Sequence, residues 1–261
     1  MNEREAEQFS FLFTFMVEIL NDVLEWIQRI TDNERGANMK KSLLTEALVK
    51  YIAGIVLLMV LLFLPAGSLS WKNGWLFMGL LFVPMLFAGL LMYFKAPGLL
   101  RSRLNAKETQ SAQKDVINYS GIMFLAAFIV AGLNYRFNWI MFPKPVVIVG
   151  CVIFLLSYLM FGEVLRENEY LSRTIEVQEN QKVVDTGLYG IVRHPMYAAT
   201  VFLFLSMALV LNSPISFVIM LAYIPIIMKR TVNEEEFLEK ELEGYAEYKK
   251  KVKHRIIPFI W

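Results

Sequence analysis

The chain has 261 residues, of which 56% are hydrophobic and 14% aromatic, and its mean hydropathy is +0.46. This composition is too apolar for a soluble domain of that length and predicts a protein with several membrane spans. The formal net charge of +2 gives no indication of a nucleic-acid partner, and we expect none. One cysteine and two histidines exclude an intramolecular disulfide and a metal centre built from several cysteine or histidine ligands.

Residues 1–38 predict an amphipathic helix followed by a linker. Apolar residues recur at helical spacing from Phe9 to Ile27, whereas acidic residues such as Glu18 lie on other faces. An acidic helix is not attracted to anionic lipid as basic amphipathic helices are. We therefore expect this helix to pack against another part of the protein or against a partner chain, whose identity the sequence leaves open.

Six apolar stretches follow, and a helix that spans a bilayer needs about 20 residues. The last two stretches are short and are separated only by Asn212-Ser213, with Pro214 at the start of the return. They are typical of a tight helical hairpin rather than of two independent spans. The sequence therefore predicts an all-α, polytopic membrane bundle of about six membrane segments. The stretches lie at about 43–64, 75–94, 116–133, 145–162, 196–211 and 214–228.

The distribution of Lys and Arg predicts the orientation of the chain. The segments 95–115 and 163–195 and the carboxyl-terminal tail are rich in basic residues, whereas the loops 65–74 and 134–144 carry few. Basic loops stay on the cytoplasmic side, so six segments with both termini cytoplasmic satisfy this rule at every loop. We expect a multi-pass protein of the cell inner membrane whose polar residues after 163 face the cytoplasm.

The polar passage from Asp185 to Tyr197 lies between two long apolar blocks. Thr186-Gly187 predicts a turn, and Pro195 has the fixed φ of a first helical residue. A helix that begins there has unpaired N–H groups and a positive dipole end, which suit a carboxylate or a phosphate. The alternative is an ordinary turn at the membrane surface, with interfacial Arg, His and Tyr side chains.

Arg230 and Glu234 follow the last apolar stretch and share one face if the chain is helical there. They are candidates for the binding of charged groups. The alternative is a surface ion pair worth about 0.3–0.5 kcal/mol, on an acidic face that continues to Glu236.

Several of these features occur together in one known family. In chain order they are Thr186-Gly187-Leu188-Tyr189, Arg193-His194-Pro195-Met196-Tyr197, Glu234-Glu235, Tyr245 with Tyr248, and Ile257-Pro258. This series resembles the isoprenylcysteine carboxyl methyltransferase family over about residues 163–261. The module is also similar to that of phospholipid N-methyltransferases and, more distantly, of sterol reductases. The resemblance implies a helical membrane enzyme that binds S-adenosylmethionine from the cytoplasm and takes a lipid-like or prenylated acceptor from the bilayer.

The resemblance also implies a domain organisation and a set of site residues. Residues 1–38 would be the amphipathic helix and linker, 39–162 four spans, and 163–261 the cofactor-binding and catalytic module. Arg230 would contact the substrate, and Arg230 and Glu234 would be catalytic. The chain departs from the family pattern at Gln181, where histidine is common. The implied cofactor contacts are Gln178, Gln181, Lys182, Val183, Val184, Tyr189, His194, Pro195, Met196, Tyr197 and Glu234.

Four functions stay open from the sequence. The first is O-methylation of a carboxylate on an isoprenylcysteine-like or other lipid-like acceptor, which Arg230 would orient without any general base. The second is N-methylation of a lipid amine, for which Glu234, Glu235 or His194 would act as base. The third is a non-catalytic membrane module, and the fourth is a reductase that uses a nicotinamide cofactor on the same module.

Overall fold

The structure is a computed structural model, and it describes residues 39–105, 111–168, 170, 177 and 181–261. The predicted amphipathic helix lies outside these residues. The described part contains α-helices, one 3₁₀ turn at Gly187–Gly190 and no strand, so the predicted all-α class is confirmed. The helices are α1 (Met39–Ala66), α2 (Lys72–Lys95), α3 (Pro97–Asn105), α4 (Ser111–Phe137), α5 (Lys144–Glu167), α6 (Pro195–Val210), α7 (Pro214–Met220), α8 (Tyr223–Glu241) and α9 (Tyr245–Lys251).

Five helical segments of the described chain are long and apolar enough to cross a membrane. The helix α6 is apolar but shorter, with 16 residues. Large apolar side chains point outward from the bundle, such as Phe87 at 68% exposure and Leu159 at 71%, as expected where lipid rather than water is the neighbour. The protein is therefore a multi-pass membrane protein. The segments are Leu43–Ala66, Lys72–Lys95, Val116–Phe137, Lys144–Glu167 and Pro214–Glu241.

The predicted hairpin is formed by α6 and α7. Asn212 adopts a positive φ of 59° and reverses the chain, and the Ser213 hydroxyl then accepts the Ser216 N–H at the start of α7. The helix α8 continues almost directly from α7, with only Leu221 and Ala222 between them. The helical segment therefore extends to Glu241, well past the predicted apolar stretch 214–228, and its polar carboxyl-terminal half reaches the site.

Two glycines let the spanning helices approach closely. A Cβ added at Gly150 of α5 would lie 2.6 Å from Leu209 Cβ of α6. A Cβ at Gly132 of α4 would lie 2.6 Å from the Leu62 carbonyl oxygen of α1. Small residues at such crossings give the tight backbone packing on which membrane helices depend. The α5–α6 contact also places the beginning of α6 beside the end of α5, where the site lies.

Candidate active site

The segment before α6 is held by the carboxyl-terminal tail. The backbone N–H groups of Arg193 and His194 donate to the carbonyl oxygens of His254 and Arg255, at 2.9 and 2.8 Å. The His194 carbonyl then accepts the amides of Tyr197 and Ala198. The tail therefore fixes the direction in which α6 begins.

These bonds change the expectation of an anion site at the helix start. Pro195 stands at the first helical position as predicted, and it has no N–H to offer. In the part of the chain that the structure describes, Met196 has the one amide of this first turn that lacks a hydrogen-bond partner. The start of α6 can therefore donate a single backbone hydrogen bond to a bound anion. Side chains must supply most of the contacts to such a ligand.

A buried carboxylate, Glu235, contacts the side chains of two arginines and one histidine. It is 2% exposed, and its Oε1 accepts from Arg193 Nε at 2.7 Å and lies 3.2 Å from His194 Nε2. Its Oε2 accepts from Arg255 Nε at 3.0 Å. A carboxylate so occupied is a poor general base, because abstracting a proton would give up these charge-assisted hydrogen bonds. Glu235 instead orients the His194 ring.

A second chain of polar groups runs through Tyr197. Its hydroxyl donates to Glu234 and accepts from Arg230 Nε at 2.9 Å. The Tyr197 ring stacks on that of His194, with centroids 5.4 Å apart and planes 9° apart. The structure therefore brings Arg230, Glu234, His194 and Tyr197 together, although 33 residues separate Tyr197 from Arg230 in the chain.

Most of the predicted site residues line one cavity between the end of α5, the start of α6, α8 and α9. Pro195 is buried beside this cavity without lining it, and Gln178 lies outside the described residues. The predicted residues that line it are Gln181, Lys182, Val183, Val184, Tyr189, His194, Met196, Tyr197, Arg230 and Glu234.

Other lining residues were not predicted as site residues. Leu238 follows Glu234 by four residues on α8, so helical spacing alone would have indicated it, whereas Leu242 lies just past the end of the helix. Asn168 lines the cavity because α5 extends to Glu167 and Asn168 is the next residue. Nothing in the local sequence indicates this position. The complete set of unpredicted lining residues is Asn168, Tyr170, Arg193, Leu238, Leu242, Tyr245 and Tyr248.

Tyr189 is fixed as a neutral phenol on the cavity wall. Burial raises its pKa to about 12, although the hydrogen bond from Asn168 Nδ2 to its hydroxyl, at 2.9 Å, acts in the opposite direction. Its carbonyl accepts the Tyr248 hydroxyl at 2.7 Å. Tyr189 can therefore position a ligand by contact and hydrogen bonding, but it cannot serve as a base at neutral pH.

The 3₁₀ turn that carries Tyr189 is anchored to the end of α5. Gly187 has a φ of 52°, and a Cβ there would lie 2.6 Å from Glu167 Oε2. The Thr186 hydroxyl donates to the same carboxylate. The turn predicted at Thr186-Gly187 is therefore confirmed, and it requires glycine for both conformation and space.

Comparison with known proteins agrees with this architecture. Residues 145–244 match the phospholipid methyltransferase family model. The structure of a eukaryotic intramembrane Ras methyltransferase, isoprenylcysteine carboxyl methyltransferase, superimposes with a TM-score of 0.50 and 16% identity, over 98% of this chain and 86% of that one. The fold is thus that of the isoprenylcysteine carboxyl methyltransferase, and the resemblance predicted from the sequence is confirmed.

A curated relative outside the methyltransferases also matches. The delta(14)-sterol reductase of Arabidopsis thaliana is 26% identical over 145 residues, which are 51% of this chain and 39% of that protein. The chain therefore spans well under half the length of this relative.

Proposed function

We propose that this chain, which combines a phospholipid methyltransferase family domain with the isoprenylcysteine carboxyl methyltransferase fold, is an S-adenosylmethionine-dependent membrane methyltransferase. The acceptor is a carboxylate on an isoprenylcysteine-like or other lipid-like molecule that enters from the bilayer. The cavity faces the cytoplasm, from which the cofactor enters. When bound, S-adenosylmethionine supplies a methyl group activated by its sulfonium.

The observation that carries this proposal is the position of Arg230 on α8. The helix is apolar up to Met228, and Arg230 is the first of its residues to line the cavity, one turn before Glu234. A guanidinium is permanently charged and matches a carboxylate with two parallel hydrogen bonds. Tyr197 accepts from Arg230 Nε at 2.9 Å, and this bond holds the guanidinium at the cavity wall. Arg230 thus orients an acceptor that arrives along the lipid-facing part of the helix.

Different residues along the cavity bind different parts of the cofactor. Glu234 offers a carboxylate to the ammonium and sulfonium, and its position is fixed by the hydrogen bond from Tyr197. The apolar side chains Val183, Leu238 and Leu242 offer a surface for the adenine ring. Positioning and electrostatics account for most of the catalysis of such an in-line transfer.

The site is better suited to a carboxylate than to an acceptor that must lose a proton. A carboxylate is already ionised at neutral pH and needs no general base. Glu235 accepts from two arginines, His194 Nε2 lies against the same carboxylate, and Tyr189 stays protonated. O-methylation of a carboxylate therefore requires no proton transfer to or from Glu235, His194 or Tyr189.

N-methylation of a lipid amine is the second candidate, and the phospholipid methyltransferase match over residues 145–244 favours it. In that reaction Glu234 would take the proton of the amine, since its carboxylate lines the cavity and, among the described residues, meets the Tyr197 hydroxyl and, at 3.9 Å, His194 Nδ1. The 26% identical sterol reductase keeps a nicotinamide-dependent reduction as a third candidate.

The chemical nature of the product distinguishes these candidates. Purified protein in lipid nanodiscs would be incubated with methyl-labelled S-adenosylmethionine and either S-farnesyl-N-acetylcysteine or phosphatidylethanolamine. We expect label on the farnesylated acid that dilute alkali releases as methanol, because an ester hydrolyses and an N-methyl group does not. Alkali-stable label on the phospholipid would establish the amine candidate. Label on neither, together with oxidation of reduced nicotinamide cofactor by a sterol, would overturn the proposal.

A further inference from the structure

Tyr245, the first residue of α9, is a buried phenol in the wall of the cavity. It is 4% exposed, and its ring belongs to an apolar cluster with Leu242, Val183 and Leu238. It also meets the Tyr248 ring edge-on, with centroids 5.7 Å apart. Packing on these sides fixes the ring and therefore the place of its hydroxyl.

That hydroxyl has no hydrogen-bond partner among the described residues, unlike the hydroxyls of its neighbours. Tyr248 donates to the Tyr189 carbonyl, Tyr189 accepts from Asn168, and Tyr197 bonds both Glu234 and Arg230. A buried polar group without a partner costs free energy, so native proteins rarely keep one without a use. Since Tyr245 lines the cavity, a ligand there is the natural partner.

The face of α8 that lines the cavity changes from charged to apolar along its length. Its lining residues are Arg230, Glu234 and Leu238, spaced about 6 Å apart along the helix, and Leu242 lines the cavity directly after the helix ends. The charged end suits the amino-acid and sulfonium part of S-adenosylmethionine, and the apolar end suits its adenine ring. Tyr245 packs at the apolar end.

We infer that the Tyr245 hydroxyl hydrogen-bonds the adenosine part of the cofactor and thereby selects it, an inference that rests on the proposed function. Adenine presents ring-nitrogen acceptors and an amino donor, and a hydroxyl that rotates can satisfy either. Burial, with the charges of Glu235 and Glu234, raises the pKa of Tyr245 well above its usual value, so the group acts as a neutral phenol.

The test compares Tyr245→Phe with Tyr248→Phe, two variants that each lose one buried phenol oxygen. Affinities would be measured by calorimetry on the full chain in detergent for S-adenosylhomocysteine and for 5′-methylthioadenosine, which lacks the amino-acid group. We expect Tyr245→Phe to weaken both ligands roughly tenfold, because the adenosine keeps an unpaired polar group. We expect its unliganded thermal stability to be unchanged, whereas Tyr248→Phe loses the bond to the Tyr189 carbonyl and unfolds at a lower temperature.

Each other outcome has a definite meaning. Unchanged affinity of Tyr245→Phe for both ligands overturns the inference while the proposed function stands. Weakened binding of S-adenosylhomocysteine alone places the hydroxyl at the amino-acid end and overturns the adenosine contact. A loss of unliganded stability equal to that of Tyr248→Phe makes the hydroxyl structural and also overturns it. Failure of the wild-type protein to bind either ligand overturns the proposed function itself.

Discussion

The membrane-spanning part of the chain and the polar module that follows it are stabilised by different interactions. Helices such as α4 and α5 pack through close backbone contacts at Gly132 and Gly150, with apolar side chains facing lipid. The module instead buries ionised groups, and Glu235 joins Arg193, His194 and Arg255 at its centre. Substitutions in the first part should affect folding alone, whereas those in the second should separate into effects on folding and effects on ligands.

Removal of Glu235 should produce the largest effect. In Glu235→Ala the Arg193 guanidinium, whose side chain is 4% exposed, would remain buried without its carboxylate. Breaking one partner of a buried ion pair costs about 3–5 kcal/mol, and we expect a corresponding fall in the thermal unfolding temperature in detergent. The neighbouring Glu236 is exposed, so Glu236→Ala is the matched control. Equal stability of the two variants would show that the network does not hold the module together.

Arg230→Ala tests how the polar module binds its acceptor, and we expect it to leave the stability of the module unchanged. Arg230 is partly exposed and bonds the Tyr197 hydroxyl rather than the Glu235 network. We expect methyl transfer to the acid acceptor to fall about 100-fold, since charged hydrogen bonds contribute about 1.5–3 kcal/mol. Cofactor affinity and thermal stability should change little. Full activity of this variant would contradict the carboxylate acceptor.

Gly150→Ala tests the packing of the spanning part. The new methyl would lie 2.6 Å from Leu209 Cβ and 3.3 Å from the backbone of α6, so helices α5 and α6 must separate. Overpacking of this kind costs about 1–3 kcal/mol, measured as a lower unfolding temperature. Gly162→Ala on the same helix meets nothing within 4 Å and serves as the control. If Gly150→Ala is as stable as Gly162→Ala, the close approach is not required.

The smallest effect should come from the exposed ion pair of Asp185 and Lys251, whose charged atoms are 2.6 Å apart. The hydrogen bond and charge of Lys251 lower the pKa of Asp185 below its ordinary value of 3.8. A depressed folded-state pKa stabilises the protein above the unfolded pKa, and this contribution is lost as the pH falls through the folded value. We expect Lys251→Met to lower the unfolding temperature marginally at pH 7, and by progressively less as the pH falls below the ordinary pKa of an aspartate. A difference that grows in acid would contradict this assignment.

The sequence predicts the spanning helices because the length of an apolar stretch is enough to identify a span. It also predicts that Arg230 and Glu234 lie on one helix face, because residues four apart in a helix share a face. It does not predict Glu235 as the centre of the ion network. Glu234 and Glu235 are neighbours of the same type, and only the packing of α8 against residues 193–194 and 255 decides which one is buried. The sequence also does not predict that the amides of Arg193 and His194 are hydrogen-bonded, because the carbonyl groups that accept from them lie far away in the chain, in the carboxyl-terminal tail.

Binding of S-adenosylmethionine to the detergent-purified protein, measured by calorimetry, tests the central claim most directly. We predict saturable binding to the wild-type chain and its loss in a His194→Ala, Glu234→Ala double variant, because both side chains line the cavity. An unaltered unfolding temperature of that variant would show that the loss concerns the ligand and not the fold. Absence of binding to well-folded wild-type protein would contradict the methyltransferase account and favour a nicotinamide cofactor or a non-catalytic role.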